Sequence, residues 1–410
     1  IPFLFLCYIV AYLDRVNVGF AKLQMLTDLK LSEAIYGFGA GIFFIGYFIF
    51  EVPSNVIMHK VGARVWIARI MISWGVLSAC MMFVTTPMWF YIVRFLLGAA
   101  EAGFFPGVIL YLTYWYPAER RARMTALFMT AIAISGVIGG PLSGWILNSL
   151  SGANGWAGWQ WMFLIEGIPS VVVGIVVLFV LDDRIGHAKW LALDEKALLD
   201  RNIAADNAHK TEESVGKILF SGRVWLMALI YFCFVMGLYG VGFYLPTIIK
   251  ATGVQSALTI GLLTAIPYAF AAVSMVLVAR HSDRTGERRW HIAIPGLIGA
   301  AGLIVSVYYG KDVVPAMIAL TIATMGILAT LPSFWSLPTA FLAGTGAAAG
   351  IALVNSLGNL SGYVAPFAIG RLKDLTDSTN PGVYLLSGSL ILGAILTLAV
   401  PVAMISKRAP

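Results

Sequence analysis

Residues 59–66 read HKVGARVW, and residues 283–290 read DRTGERRW. At an offset of 224 positions Lys60 falls on Arg284, Gly62 on Gly286, Arg64 on Arg288 and Trp66 on Trp290. Each stretch is a short basic break between two long apolar runs, the second and third of its half. Near the same offset Pro141 corresponds to Pro366. A repeat of this length divides the 410-residue chain into two halves built on one plan.

The runs themselves set the fold class. The chain is 60% hydrophobic and 11% charged, against about 25% charged in soluble domains. Apolar segments fall near 2–25, 34–58, 65–85, 88–112, 122–149 and 159–181, then near 223–249, 257–279, 290–309, 314–336, 347–370 and 382–405. Each approaches the ~20 residues that cross a hydrocarbon core as a helix. A membrane β-barrel needs ten-residue alternating strands instead, and these are absent from the pattern. The expectation is an all-α membrane protein of twelve transmembrane helices in two six-helix bundles, residues 1–181 and 223–410. Between them, 182–222 holds most of the hydrophilic sequence, and the spacing of Trp190, Leu191, Leu198 and Leu199 suggests a surface amphipathic helix followed by a linker. Ile1 is not a methionine, so a short preceding segment is expected, and the first run reads as a retained helix and not as a signal peptide.

Charge placement orients the chain. Of the 27 Lys and Arg, nineteen lie on the side of the termini, six lie opposite, and Arg15 and Arg94 fall within spans. By the positive-inside rule both termini are cytosolic. The net charge of +7 is thus a topology signal, and nucleic-acid binding is not expected. The three cysteines all lie in apolar runs and form no disulfide framework.

Beyond the repeat, several stretches carry a family resemblance. DRTGERR (283–289) is similar to the cytosolic loop signature of the major facilitator superfamily, whereas HKVGAR departs from it, with His59 where an aspartate is usual. SGVIGGPLSG (135–144) resembles the superfamily's Gly-Pro motif in the fifth helix. DRVN (14–17), FEVPSN (50–55), RFLLGAAEAGFFPG (94–107), WQWMFLIEGIPS (159–170), FWSLPTAFL (334–342) and GIALVNSLGNLSGYVAPFAIG (350–370) together resemble the anion:cation symporter family of tartrate, phthalate and sugar-acid permeases. The resemblance runs the length of the chain. It implies Asp14 and Glu101 in proton coupling and Arg15 on the substrate carboxylate, with Tyr12, Tyr47, Trp335, Asn355 and Asn359 around the substrate.

The residues point the same way. Asp14, Arg15, Glu51, Arg94, Glu101 and Glu166 all lie within first-half spans. A charge at the bilayer centre costs at least ~2.5–3.5 kcal/mol on insertion scales, so such groups are paired or functional. Arg94 and Glu101 are seven residues apart, about 10 Å along a helix, which is too far for a direct pair. A neutral cross-helix cluster of Asp14, Arg15, Arg94 and Glu101 is the economical expectation, with Arg94 tuning the carboxylates. An anion on Arg15 would unbalance it, and a proton would restore the balance, so the two would bind best together. The plainer alternative is a set of buried pairs fixing helix register.

Glu51 is expected at a gate, pairing with basic loop residues in one gating state, and Asp283, Arg284 and Arg288 in a loop that latches helices on the cytosolic side. Glu166 reads as structural, and a place at the substrate is the alternative for both glutamates. Positive-inside topology alone would equally explain the loop charges. Asn355 and Asn359, four apart, share a helix face as ligand contacts or as interhelical glue.

The expected activity is proton-coupled import of a small organic carboxylate (a dicarboxylate, aromatic acid or sugar acid) across an inner membrane. No cofactor is expected beyond the coupling protons, and no metal. The expected partners are the substrate and the lipid bilayer, with the chain monomeric. Exchange or facilitated diffusion is the alternative transport mode. An enzyme is disfavoured because all five histidines sit at or beyond the cytosolic edges.

Overall fold

In the computed structural model residues 2–116, 118–208, 216, 218, 220–341 and 344–401 are described. They form helices and no strand. The first half comprises α1 (Pro2–Val16), α2 (Val18–Asp28), α3 (Glu33–Val61), α4 (Ala63–Cys80), α5 (Pro87–Glu101), α6 (Phe104–Trp115), α7 (Ala118–Met129), α8 (Ala131–Ser149) and α9 (Gly158–Val180). After α10 (Leu193–Ala208) come α11 (Gly222–Ala251), α12 (Ala257–Thr285), α13 (Trp290–Tyr308), α14 (Val313–Phe334), α15 (Ser336–Phe341), α16 (Gly344–Asn359), α17 (Ser361–Thr376) and α18 (Asn380–Ala399).

Among the described residues, eleven helical segments are long and apolar enough to cross a membrane. The remaining expected span, 347–370, is covered by α16 and α17, which part at Leu360. The last helix ends at Ala399, short of the expected 405. In the linker, Trp190 stacks on Trp115 with ring centroids 5.8 Å apart, while Leu193 and Leu198 stay exposed. The stretch 209–215 and the C-terminal Lys407 and Arg408 lie outside the described residues.

Helix ends follow local chemistry. Ser32 caps α3 by accepting from the Ile35 amide at 3.1 Å, and Thr86 caps α5 just before Pro87. Breaks inside spans are more telling. The first span breaks at Asn17, the fourth at Ala102–Gly103 with Gly103 left-handed (φ +87), and the eleventh at Leu360. Irregular backbone at membrane depth survives where protein or a cavity surrounds it. Arg15, Glu101 and Asn359 each sit within two residues of one of these breaks.

The two halves meet most closely on the face away from the termini, here the distal face. The α3 helix packs on α17, and α8 on α12. The contacts are nearly backbone on backbone. A Cβ on Gly37 would lie 2.2 Å from the Pro366 carbonyl oxygen, and one on Gly140 would lie 2.6 Å from that of Gly261. The 224-residue offset carries Gly37 onto Gly261, so the two seams are one contact made twice.

Charge reinforces this closure. Glu33, at the start of α3, bonds Lys22 at 2.6 Å and Lys373 of α17 at 2.5 Å. Asp374 accepts the Glu33 and Ala34 amides at 3.1 and 2.8 Å, capping α3 from the other half. Lys22 is 4% exposed, with its ammonium 3.9 Å from the centre of the Tyr244 ring. It is a buried charge near the distal end of the first run, 2–25.

Leucine at Gly140 should prise the distal seam apart, since overpacking costs about 1–3 kcal/mol, which moves a two-state balance roughly 5- to 150-fold. In a cysteine-free background carrying Tyr244→Cys, Gly140→Leu should speed labelling by a membrane-impermeant maleimide. Equal labelling with and without the leucine would mean that the seam does not set the closure.

Candidate functional site

Arg15 sits 4% exposed at the meeting of the halves. Its Nε donates to Glu101 Oε1 at 3.0 Å, and its Nη2 forms an ion pair with the same oxygen. Its Nη1 donates to the Tyr239 hydroxyl at 3.0 Å. Arg15 and Tyr239 are separated by 224 residues, the offset of the loop repeat. Equivalent positions of the two halves therefore touch, as they must near an axis of pseudo-symmetry.

From Tyr239 the hydrogen bonds run on through the second half. Its hydroxyl donates to Asn359 Oδ1 at 2.8 Å, and Asn359 Nδ2 donates to the Asn355 carbonyl at 3.0 Å. The Asn355 side chain returns to the first half, donating to Glu51 Oε1 at 2.7 Å, while Ser356 Oγ donates to Glu51 Oε2 at 2.5 Å. An unbroken chain of hydrogen bonds thus joins Glu101 to Glu51 by way of α11 and α16.

A cavity of about 20 Å³ opens beside this chain, lined by Tyr12, Arg15, Tyr47, Tyr239, Asn355 and Asn359 among others. That is room for little more than a water molecule. An organic acid enters only if these side chains part. The Tyr12 hydroxyl has no hydrogen-bond partner although it is buried, so a donor already stands beside the guanidinium. The rings of Tyr12, Phe43 and Tyr47 lie 5.8, 5.6 and 5.3 Å from the Arg15 guanidinium carbon. They keep water from the cation and present electron-rich faces to it. Toward the termini, Tyr8 stacks on Phe128 at 4.5 Å and Tyr231 on Phe334 at 4.8 Å, covering the cavity with aromatic rings.

The expected four-residue cluster is only half assembled. Arg15 and Glu101 are together, whereas Asp14 faces elsewhere. Successive helical residues point about 100° apart, which turns Asp14 toward α4 and α9. There it accepts from Trp74 Nε1 at 3.1 Å, from Ser78 at 2.8 Å and from Ser170. Its bonds come from neutral donors. Arg94 donates from Nη2 to the Ala40 carbonyl at 3.0 Å, leaving its Nε and Nη1 without hydrogen-bond partners. The Phe43 ring explains the separation, for it lies 5.6 Å from the Arg15 guanidinium and 4.9 Å from that of Arg94. It is a spacer between two cations.

In this arrangement Glu51 is bonded to Asn355 and Ser356. Glu166 accepts from Ser143 at 2.6 Å. Trp335 stands edge-on to Tyr231 at 5.0 Å and does not line the cavity. In the second loop Arg288 bonds Asp283 at 2.6 Å and Ser282 at 3.1 Å, and Arg284 is exposed in the last turn of α12. In sequence Tyr239 is one of several neutral polar groups of the second-half spans, and only its 224-residue offset from Arg15 marks it. Ser78 and Ser170 carried no signal, since hydroxyls are common in membrane helices.

A protein of Pseudomonas putida named for metabolite transport, NicT, is 49% identical over 99% of this chain and 94% of its own. A protein of Agrobacterium vitis named for tartrate transport is 53% identical over 97% of this chain and 88% of its own. In the solved inward-facing, occupied structure of a bacterial homologue of the human lysosomal transporter Spinster the fold recurs with a TM-score of 0.76 at 16% identity, covering 100% of this chain and 98% of that one. The family model of the Major Facilitator Superfamily matches residues 4–366. With its repeat, its all-helical fold and its buried site between the halves, the chain belongs to the Major Facilitator Superfamily, a class of membrane transporters and not of enzymes.

Proposed function

We propose that this chain is a symporter that carries a small organic carboxylate together with protons. The observation that carries the reading is the Arg15–Glu101 pair at the cavity between the halves. All three Arg15 nitrogens are engaged in this arrangement, two of them by Glu101, so an incoming carboxylate competes with Glu101 for the guanidinium. A guanidinium offers two parallel N–H donors to a carboxylate, so the substrate is a good competitor. Glu101 then loses its counter-charge in a site remote from water, and an ionised carboxylate left there is costly. It takes up a proton. Anion and proton thereby load together; a monoanion with one proton leaves the carrier at the net charge of the empty one, and a dianion needs a second proton to do so.

Asp14 is the second candidate for the coupling proton, since its carboxylate leans on neutral donors. Tyr12, Tyr47, Asn355 and Asn359 frame the anion, Arg94 tunes the carboxylates, and Asp283, Arg284 and Arg288 act in gating. The relatives' names favour a compact hydroxy-dicarboxylate such as tartrate as the first substrate to test. Alternating access would rock the bundles 1–181 and 223–410 about the site. The distal seam is shut in this arrangement. With the termini cytosolic, in an inner membrane, that corresponds to the inward-directed half of the cycle for a monomer.

Two measurements on the reconstituted chain test the reading. Glu101→Gln should abolish tartrate accumulation driven by a pH gradient while sparing tartrate counterflow. Full gradient-driven accumulation by that variant would remove Glu101 from coupling, and a parent chain indifferent to the pH gradient would favour exchange. Arg15→Lys keeps the charge but loses the fork, and hydrogen bonds to a charged group are worth ~1.5–3 kcal/mol. Tartrate affinity should therefore fall about 10- to 100-fold, and unchanged affinity would refute the assignment.

A further inference from the structure

The two copies of the basic loop are not equally equipped. In the second copy the acids are local. Asp283 pairs with Arg288 at 2.6 Å, and Glu287 accepts the Trp290 amide at 2.9 Å, capping α13. The 224-residue offset places His59 at the position of Asp283 and Ala63 at that of Glu287. The first copy therefore has neither acid. Its helix α4 begins after Gly62, which has no side chain to offer as a cap.

The structure fills both roles from elsewhere. The Asp183 carboxylate accepts the Arg64 amide at 2.8 Å, and it stands 4.0 Å from Arg64 Nε. Arg64 is the counterpart of Arg288. One aspartate thus caps α4 and faces the loop arginine, the two tasks that Glu287 and Asp283 divide in the other half. Gly62 shows how close the approach is. With φ at +101°, its missing Cβ would fall 3.0 Å from Asp183 Oδ1, whereas the equivalent Gly286 has nothing within 4 Å.

Asp183 does not arrive there by chance of a wandering loop. The Tyr111 hydroxyl of α6 donates to the Asp182 carbonyl at 2.7 Å. Ile185 is buried two residues on, at 4% exposure, and Trp190 stacks on Trp115. The start of the linker is docked on the first half at several points, and those contacts aim its carboxylate at the loop.

We infer that Asp183 is the positioning residue that replaces the missing acid of the first loop, so that the linker between the halves completes the loop joining α3 to α4. Sequence comparison of the loops alone would score the first copy as degenerate. In three dimensions it is complete, and it answers to the linker. Since the linker also leads to α11, the start of α4 is mechanically tied to the segment that joins the moving halves. The half-exposed ion pair contributes little by itself. The backbone cap and the helix dipole supply most of the hold.

The test transplants the second copy's acids into the first, using the full chain. Asp183→Ala should raise hydrogen exchange of the amides at 63–67 about fivefold, the loss of a cap. Adding both acids of the second copy, His59→Asp and Ala63→Glu, should recover part of that protection, whereas Asp200→Asn, an exposed α10 change, should leave exchange as it was. In liposomes Asp183→Ala should lower the turnover of tartrate uptake without changing its half-saturation, and the two added acids should restore turnover. The uptake arm rests on the proposed function and the exchange arm does not, so hydrogen exchange tests Asp183 even in a chain that fails to carry tartrate. Unchanged exchange in Asp183→Ala, or no recovery with the two added acids, overturns the inference. If Asp183→Ala alone misfolds, a folded triple variant supports the inference and an equally misfolded one counts against it.

Discussion

The constraint on which the rest depends is a single guanidinium held away from water between two bundles. Arg15 cannot easily shed its proton, so in an apolar environment it needs an anion and aromatic faces around it. Glu101 supplies the anion, and Tyr12, Phe43 and Tyr47 supply the faces. Holding Glu101 there places it at the end of α5, where Gly103 turns the helix. The Glu101 pair and the aromatic box are what accommodate that one cation.

Pseudo-symmetry turns this local arrangement into a device that spans both halves. Tyr239 touches Arg15 because it occupies the same place in the second half, and through Asn359 and Asn355 the contact extends to Glu51. Moving Arg15 therefore disturbs bonds that cross between halves at two separate points. On the distal face the seams of Gly37 with Pro366 and Gly140 with Gly261 are likewise one contact repeated. The Glu33 bridge between Lys22 and Lys373 adds a charge clasp that belongs to the closed distal face.

The two loop copies meet one need in two ways. The first copy lacks both acids but has the same glycine and arginine, and a carboxylate reaches it from a segment that has no place in the repeat. Residue identity differs between the copies while the electrostatic need of a helix N-terminus is the same in both.

Much of this was legible in the chain itself. Hydrophobic run length determined the all-helical membrane fold and the number of spans, because a bilayer imposes a length that no soluble fold imposes. The repeat HKVGARVW/DRTGERRW determined the division into halves, and the rarity of charge in spans singled out Arg15 and Glu101. The pairing of those charges was decided only by the tertiary structure. Asp14 and Arg94 looked equivalent to their neighbours in sequence, yet a 100° step turned Asp14 toward Trp74 and Ser78, and one ring, Phe43, kept Arg94 apart. Burial of Lys22 and the reach of Asp183 were hidden for the same reason. A run of apolar residues states that a helix is buried in the membrane, but which neighbour each polar side chain meets depends on helix rotation and packing, and those are settled by contacts far away in the chain.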